Sequence, residues 1–155
     1  MRVMGKVSLS FFVRILTDIL VAGNIVTLIF LPWVLRYLYD LWLTIPYFSE
    51  DYQFMLIFLY ICGTMTLGVL VFGHLILRTL EKGLPFDAKN TRYFRITCIF
   101  FLLLSASFFI KLFFYGTILT FFCAVLFLIF ALLCVIMSEV FRQASIIWEE
   151  HQLTI

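Results

Sequence analysis

The fold of this chain is decided by the stretch ITCIFFLLLSASFFIKLFFYGTILTFFCAVLFLIFALLCVIM, residues Ile96–Met137. As one helix it would be about 63 Å long at 1.5 Å per residue, which is twice the hydrocarbon thickness of a bilayer. The run must therefore fold back on itself. The segment KLFFYGT places the break, because Lys111 can reach a headgroup, Tyr115 suits the interface and Gly116 permits a tight turn. The run is predicted to form an antiparallel helical hairpin with a very short loop.

The composition of the whole chain is also that of a membrane protein. Its 155 residues are 65% hydrophobic and 13% charged, with a mean hydropathy of +1.14. A soluble domain carries about 25% charged residues, so lipid must surround most of this surface. We expect an all-α integral membrane four-helix bundle in the cell (plasma) membrane, built as one domain of residues 1–155. The predicted transmembrane helices are about 9–38, 54–77, 94–114 and 117–138, with a loop at 78–93 and a tail at 139–155.

The basic residues are distributed unevenly between the two sides that four spans would create. Nine of the eleven lysines and arginines fall on the side of the termini and the second loop, and Arg36 and Lys111 fall on the other. Because positive loops stay in the cytoplasm, both termini are predicted to be cytoplasmic. The net charge of +2 is too small to indicate direct nucleic-acid binding. The nine are Arg2, Lys6, Arg14, Arg78, Lys82, Lys89, Arg92, Arg95 and Arg142.

The second loop carries signals for a helix end and a helix start. Gly83 suits the C-terminal cap of the second helix, and Pro85 prevents that helix from continuing. Asp87 can cap the next helix, whose first turn is then predicted at 88–90. The third helix is therefore expected to begin in the cytoplasm, before it enters the bilayer.

Polar residues follow one face of the first helix. Arg14, Thr17, Asp18 and Asn24 fall within a narrow sector, and Arg14 can pair with Asp18 one turn away. The stripe has three interpretations, which stay open at this point. Thr17 and Asn24 can hydrogen-bond a neighbouring helix, the charged pair can lie at headgroup depth, or the stripe can line a cavity for an ion, proton or small ligand.

His74 lies near the cytoplasmic end of the second helix, at a depth similar to that of Asp18. The two are predicted to be able to pair, and such a pair can sense pH or relay protons. The alternative is an interfacial histidine that is hydrogen-bonded to water.

Motifs for catalysis or metal binding are missing from the sequence. It contains no nucleophile–base arrangement, phosphate loop or metalloprotease signature, so neither an enzyme nor a cofactor is expected. The cysteines lie inside apolar runs without metal-ligand spacing, which is typical of small buried side chains. They are Cys62, Cys98, Cys123 and Cys134.

Two segments together resemble a known family. EKGLPFDAKNTRYFR, from Glu81, has a G-x-P-F loop followed by Asn90, and VFRQASIIWEEHQLTI ends the chain. The pair is similar to small bacterial four-span membrane proteins classed as domain of unknown function 2975. That family is often encoded beside a small helix-turn-helix repressor, so the resemblance implies a regulatory partner at the membrane. The candidate partner surface is Gly83, Pro85, Phe86, Asn90, Arg92, Phe141, Trp148, Glu149, Leu153, Thr154 and Ile155.

The alternative for these residues is helix capping and packing of the tail, which either extends the fourth helix or lies along the membrane surface. As function we predict a regulatory or sensory membrane protein that binds a cytoplasmic protein through its basic loop and tail. The other candidates are a small transporter or channel subunit, acting as a homo-oligomer, and an immunity or stress protein against membrane-active agents. Beyond the lipid bilayer itself, the expected partners are thus a cytoplasmic regulatory protein or further copies of the chain.

Overall fold

Four long helices form nearly all of the chain that the structure describes. The computed structural model describes the backbone of residues 4–42, 52–81 and 88–153, and the side chains of residues 11–41, 52–80 and 89–147. The helices are α1 (Met4–Trp42), α2 (Tyr52–Glu81), α3 (Ala88–Phe114) and α4 (Ile118–Leu153). Each is long and apolar enough to cross a membrane. The prediction of an all-α chain with four membrane helices is therefore confirmed.

Each helix runs antiparallel to its neighbour in sequence and packs on it. In the described residues α1 packs on α2, α2 on α3 and α3 on α4, while α1 and α4 do not approach each other. We call the end where α1 and α3 begin the terminal end, and the end where α1 and α3 finish the turn end. The bundle is thus a row of helices that is open between its first and last members.

The tightest contact is a seam of small residues between α3 and α4. Ala124 and Ala131 are 0% exposed, and Ser105 Oγ donates a hydrogen bond to Ala124 O at 2.9 Å. Small side chains let two helix backbones approach closely, and seven-residue spacing is that of a left-handed coiled coil. The buried positions at this spacing are Asn90, Thr97, Leu104 and Lys111 on α3, and Ala124, Ala131, Ser138 and Ser145 on α4.

Aromatic rings fill the contact between α2 and α3. Phe58 meets Phe108 edge to face at 5.1 Å between ring centroids, and Phe72 lies 5.9 Å from Phe100. A Cβ atom on Gly68 would lie 2.7 Å from the Phe100 ring. Glycine therefore leaves room for this ring where it crosses α2, without a shift of the Phe100 side chain.

The contact between α1 and α2 is the lightest of the three in side-chain burial. None of the apolar window of α1 is buried, and Leu35 is its single buried residue within the described side chains. Near the centre, Leu28 packs so closely on α2 that a Cβ on Gly63 would lie 2.5 Å from its Cδ2. The close approach at Gly63 is therefore a main attachment point of α1.

The predicted hairpin between α3 and α4 is present. Three residues, 115–117, connect the helices, and Tyr115 N donates to Lys111 O at 2.8 Å. A Cβ on Gly116 would lie 3.1 Å from Leu112 O, so glycine suits this turn. The expectation that Lys111 extends to a headgroup is wrong, because its side chain turns inward and is 7% exposed.

The helices at the terminal end are longer than the predicted spans. α3 begins at Ala88, as predicted for its first turn, and α4 continues to Leu153. The tail therefore extends the fourth helix, which was one of its two predicted arrangements. The helix continues past the apolar run because its first polar residues satisfy one another, with Arg142 and Gln143 both donating to Glu139. Gly83, Pro85 and Asp87, which were assigned to capping, lie outside the described residues.

Candidate functional site

The polar stripe of α1 meets α2 at one charged contact. His74 Nδ1 lies 2.7 Å from Asp18 Oδ1, which agrees with the similar depth predicted for the two residues. The side chain of His74 is 25% exposed and that of Asp18 is 52% exposed. The ring nitrogen forms no well-aligned hydrogen bond, so the contact is best described as a charge contact between α1 and α2. It links α1 to α2 toward the terminal end of the bundle.

Thr17 and Asn24 of the stripe form no hydrogen bond to α2 among the described residues. Thr17 Oγ1 donates to Val13 O of its own helix at 2.8 Å, so the expected bond from Thr17 to a neighbouring helix is wrong. Asn24 Oδ1 is buried and accepts no hydrogen bond within the described residues. Arg14 is half-buried, one turn before Asp18. The described contact of the stripe with α2 is therefore the pair of Asp18 and His74.

Part of the candidate partner surface lies beyond what the structure describes. Gly83, Pro85, Phe86, Thr154 and Ile155 are outside the described residues. The positions 148, 149 and 153, occupied by Trp148, Glu149 and Leu153, belong to the helical backbone of α4. The members whose side chains are described are Asn90, Arg92 and Phe141.

Asn90 and Phe141 pack inside the α3–α4 contact. Asn90 is 0% exposed, and Phe141 is half-buried with its ring stacked 5.0 Å from that of Phe94. Nearby, Ser138 Oγ donates to Thr91 O at 3.3 Å. The assignment of Asn90 to a partner surface is therefore corrected, because a protein that docks from outside does not reach its side chain.

Arg92 and Arg142 are two of the exposed basic residues at the terminal end, where Arg78, Lys89 and Arg95 are exposed as well. Arg92 is exposed, and Arg142 forms a two-pronged ion pair with Glu139, with nitrogen–oxygen distances of 2.6 and 2.9 Å. Both partners of this pair are 48% exposed. An exposed pair of this kind contributes little to stability, so its main effect is to fix the direction of the two side chains.

Lys111 is the charged residue whose environment the sequence interpretation missed. Its Nζ lies 3.6 Å from Met55 Sδ and 5.1 Å from the centre of the Phe58 ring, which places a cation over an aromatic face. Two features of the sequence could have indicated that Lys111 is buried. Lys111 is the single charged residue in Ile96–Met137, and it lies seven residues after Leu104. A charge inside the membrane is a functional candidate by default.

The structure keeps these polar groups apart. Lys111 contacts Phe58 on α2, whereas the pair with Asp18 involves His74, about 24 Å further along the same helix at 1.5 Å per residue. The two sites do not converge on one reaction centre. Each site places polar or charged side chains in contact, and the two sites lie at different depths along α2.

These features define an all-helical, multi-pass membrane protein. No family model, no curated protein and no solved structure matches the chain. The resemblance to the four-span family therefore stays a prediction.

Proposed function

We propose that the protein is a regulatory or sensory protein of the cell membrane, which binds a soluble cytoplasmic protein rather than catalysing a reaction. The binding region is the terminal projection, defined as Lys89–Arg95 of α3 together with Ser138–Leu153 of α4. With the positive-inside prediction, this projection lies in the cytoplasm. A small helix-turn-helix repressor is the partner that the family resemblance suggests.

The length of α4 is the observation that carries this proposal. A helix that starts at Ile118 crosses about 30 Å of hydrocarbon in about 20 residues, so it reaches the far boundary near Met137. Ser138–Leu153 then extends about 24 Å further at 1.5 Å per residue. The extension is far longer than crossing the bilayer requires.

Packing gives the projection a defined shape before any partner binds. The Phe94–Phe141 stack, the buried Asn90 and the bond from Ser138 to Thr91 hold α4 against the start of α3. A prefolded surface loses little conformational entropy on binding, which favours recognition. Arg92 on the exposed side gives it a positive charge that suits an acidic patch on a soluble partner.

Site-specific photo-crosslinking in intact membranes tests the proposal. A photoreactive amino acid at position 92 should capture a soluble protein, and the same group at position 129 should not. Ile129 is the matched control because it is exposed in the middle of α4, where lipid surrounds it. Mass spectrometry identifies the captured protein, and the reversal Arg92→Glu should lower its co-purification in mild detergent several-fold.

A chain that lacks Gln143–Ile155 and carries Arg92→Glu provides the decisive variant. If this chain still inserts in the membrane and captures the same protein at the wild-type level, the terminal projection is not the binding region. Equal crosslinking from positions 92 and 129 would likewise reject the proposal.

A second function, movement of protons or small ions, draws on the pair of Asp18 and His74. The pair places two titratable groups in contact within the membrane, as proton pathways require. Since α1 and α2 alone enclose no pathway in the described residues, this function needs several copies of the chain. Ion flux in liposomes that is the same for wild type and Asp18→Asn would exclude it.

A further inference from the structure

A cavity outside the regions discussed so far lies at the turn end of α1. Trp33, Arg36, Tyr37 and Asp40 follow one face of this helix at spacings of three, four and seven residues. Together with Pro32 and with Tyr52 of α2 they line a cleft of about 500 Å³. We call this cavity the headgroup cleft.

The wall formed by α2 is held in position. The Tyr52 hydroxyl donates a hydrogen bond to Pro32 O at 3.4 Å, and its ring meets Tyr39 edge to face at 5.6 Å. On the inner side of α1, Leu35 is 6% exposed and anchors the same turns of helix. The position of Tyr52 in the cleft wall is therefore fixed by contacts with α1, while Trp33, Arg36, Tyr37 and Asp40 stay accessible.

The cleft lies where the hydrocarbon ends. Within the described residues, the apolar stretch of α1 extends to Leu41 and that of α2 starts at Tyr52, and the cleft lies beside these two helix ends. Trp33 is 80% exposed and Tyr37 is 70% exposed, as is usual for aromatic residues at headgroup depth. Phospholipid headgroups are the molecules that surround a cleft at this level.

The lining offers one charge of each sign. Arg36 and Asp40 lie one turn apart on α1, and neither forms an ion pair with another described residue. An arginine matches a phosphate group in geometry and charge. A carboxylate accepts hydrogen bonds from a primary ammonium, and the faces of Trp33 and Tyr37 attract the same cation.

We propose that the headgroup cleft binds a phospholipid with a zwitterionic, primary-amine headgroup. Its phosphate lies at Arg36 and its ammonium at Asp40, with Trp33 and Tyr37 beside the ammonium. A glycerol headgroup lacks the cation, and a choline headgroup has no N–H to donate to Asp40. This site is independent of the proposed partner surface, which lies at the opposite membrane boundary.

Native mass spectrometry after lipid competition tests this proposal. The purified chain in mild detergent is offered an equal mixture of phosphatidylethanolamine, phosphatidylcholine and phosphatidylglycerol. Wild type should retain phosphatidylethanolamine several-fold more than either competitor. Arg36→Gln should reduce retention of all three lipids, Arg36→Lys should restore part of it, and Asp40→Asn should remove the preference for the amine headgroup.

Arg78→Gln is the matched control, since Arg78 is an exposed arginine near the other end of α2 and its loss should leave lipid retention unchanged. Both cleft residues are exposed, and size-exclusion chromatography confirms that each variant is folded. Equal retention of the three lipids by wild type, or wild-type retention by Arg36→Gln and Asp40→Asn, would overturn the proposal. Trp33 and Tyr37 would then be ordinary interfacial anchors.

A final arm separates a lipid site from a site for a free small molecule. Soluble phosphoethanolamine has the same two charges without acyl chains, and it should fail to displace the bound lipid at millimolar concentration. Displacement by this compound, with no binding of the intact lipid, would reject the lipid as the occupant.

Discussion

The first and last helix contacts of this chain use different means of attachment. α3 and α4 share a seam of small residues that is buried along its length, with Ala124 and Ala131 at 0% exposure. α1 meets α2 at a few points, notably Leu28 on Gly63 and Asp18 on His74. In lipid the hydrophobic effect does not drive helices together, so close packing and polar contacts decide which pairs persist. We therefore expect the α3–α4 contact to act as the scaffold, meaning that it contributes most to the stability of the bundle. We expect α1 to separate from the other helices more easily.

The largest effect is expected from breaking the seam. Ala131→Leu adds volume at a position with no free space, which costs about 1–3 kcal/mol of the free energy of unfolding. Ala106→Leu is the matched control, because Ala106 is exposed on α3. Thermal unfolding in detergent should show a lower midpoint temperature for Ala131→Leu than for wild type, and an unchanged midpoint for Ala106→Leu. Equal stability of the two would mean that the seam is not the scaffold.

A smaller effect is expected from pushing α1 away from α2. Gly63→Leu should displace α1, since even a Cβ there would lie 2.5 Å from Leu28. Gly73→Leu should not, because a Cβ at Gly73 meets nothing within 4 Å. The measurement is chemical crosslinking between cysteines placed at Tyr39 and Tyr52, in a chain whose native cysteines are replaced.

For Gly63→Leu the crosslinking yield should fall several-fold, while the stability contributed by α3–α4 stays unchanged. Similar yields for the two glycine variants would show that α1 is not attached at Gly63.

The smallest effect is expected from the charged pair. A double-mutant cycle with Asp18→Asn and His74→Gln should give a coupling energy of about 0.6 kcal/mol, a typical value between membrane helices. Thr17→Val is the control and should change stability little, since Thr17 bonds its own helix. A coupling energy of zero would remove this pair from the attachment of α1.

The sequence was a good guide wherever the argument concerned one helix at a time. It predicted the hairpin turn at Gly116, the first turn of α3 and the common depth of Asp18 and His74, because these depend on span length and helical spacing. The sequence did not predict that the Lys111 side chain turns inward or that Asn90 is buried. Most residues of this chain are apolar, so a side that faces lipid and a side that faces another helix have similar composition. The small residues of α4 at seven-residue spacing were the one pattern that could have indicated the seam.

The packing of α1 on α2 alone has a consequence for synthesis. A growing chain can complete the described helix contacts of α1 as soon as α2 has entered the bilayer. α3, by contrast, leaves the ribosome with one of its two neighbours still to be made, and its cationic Lys111 enters the membrane before α4 exists. Assembly therefore proceeds hairpin by hairpin, and the interval between α3 and α4 is when an unfinished chain is most exposed to membrane quality control.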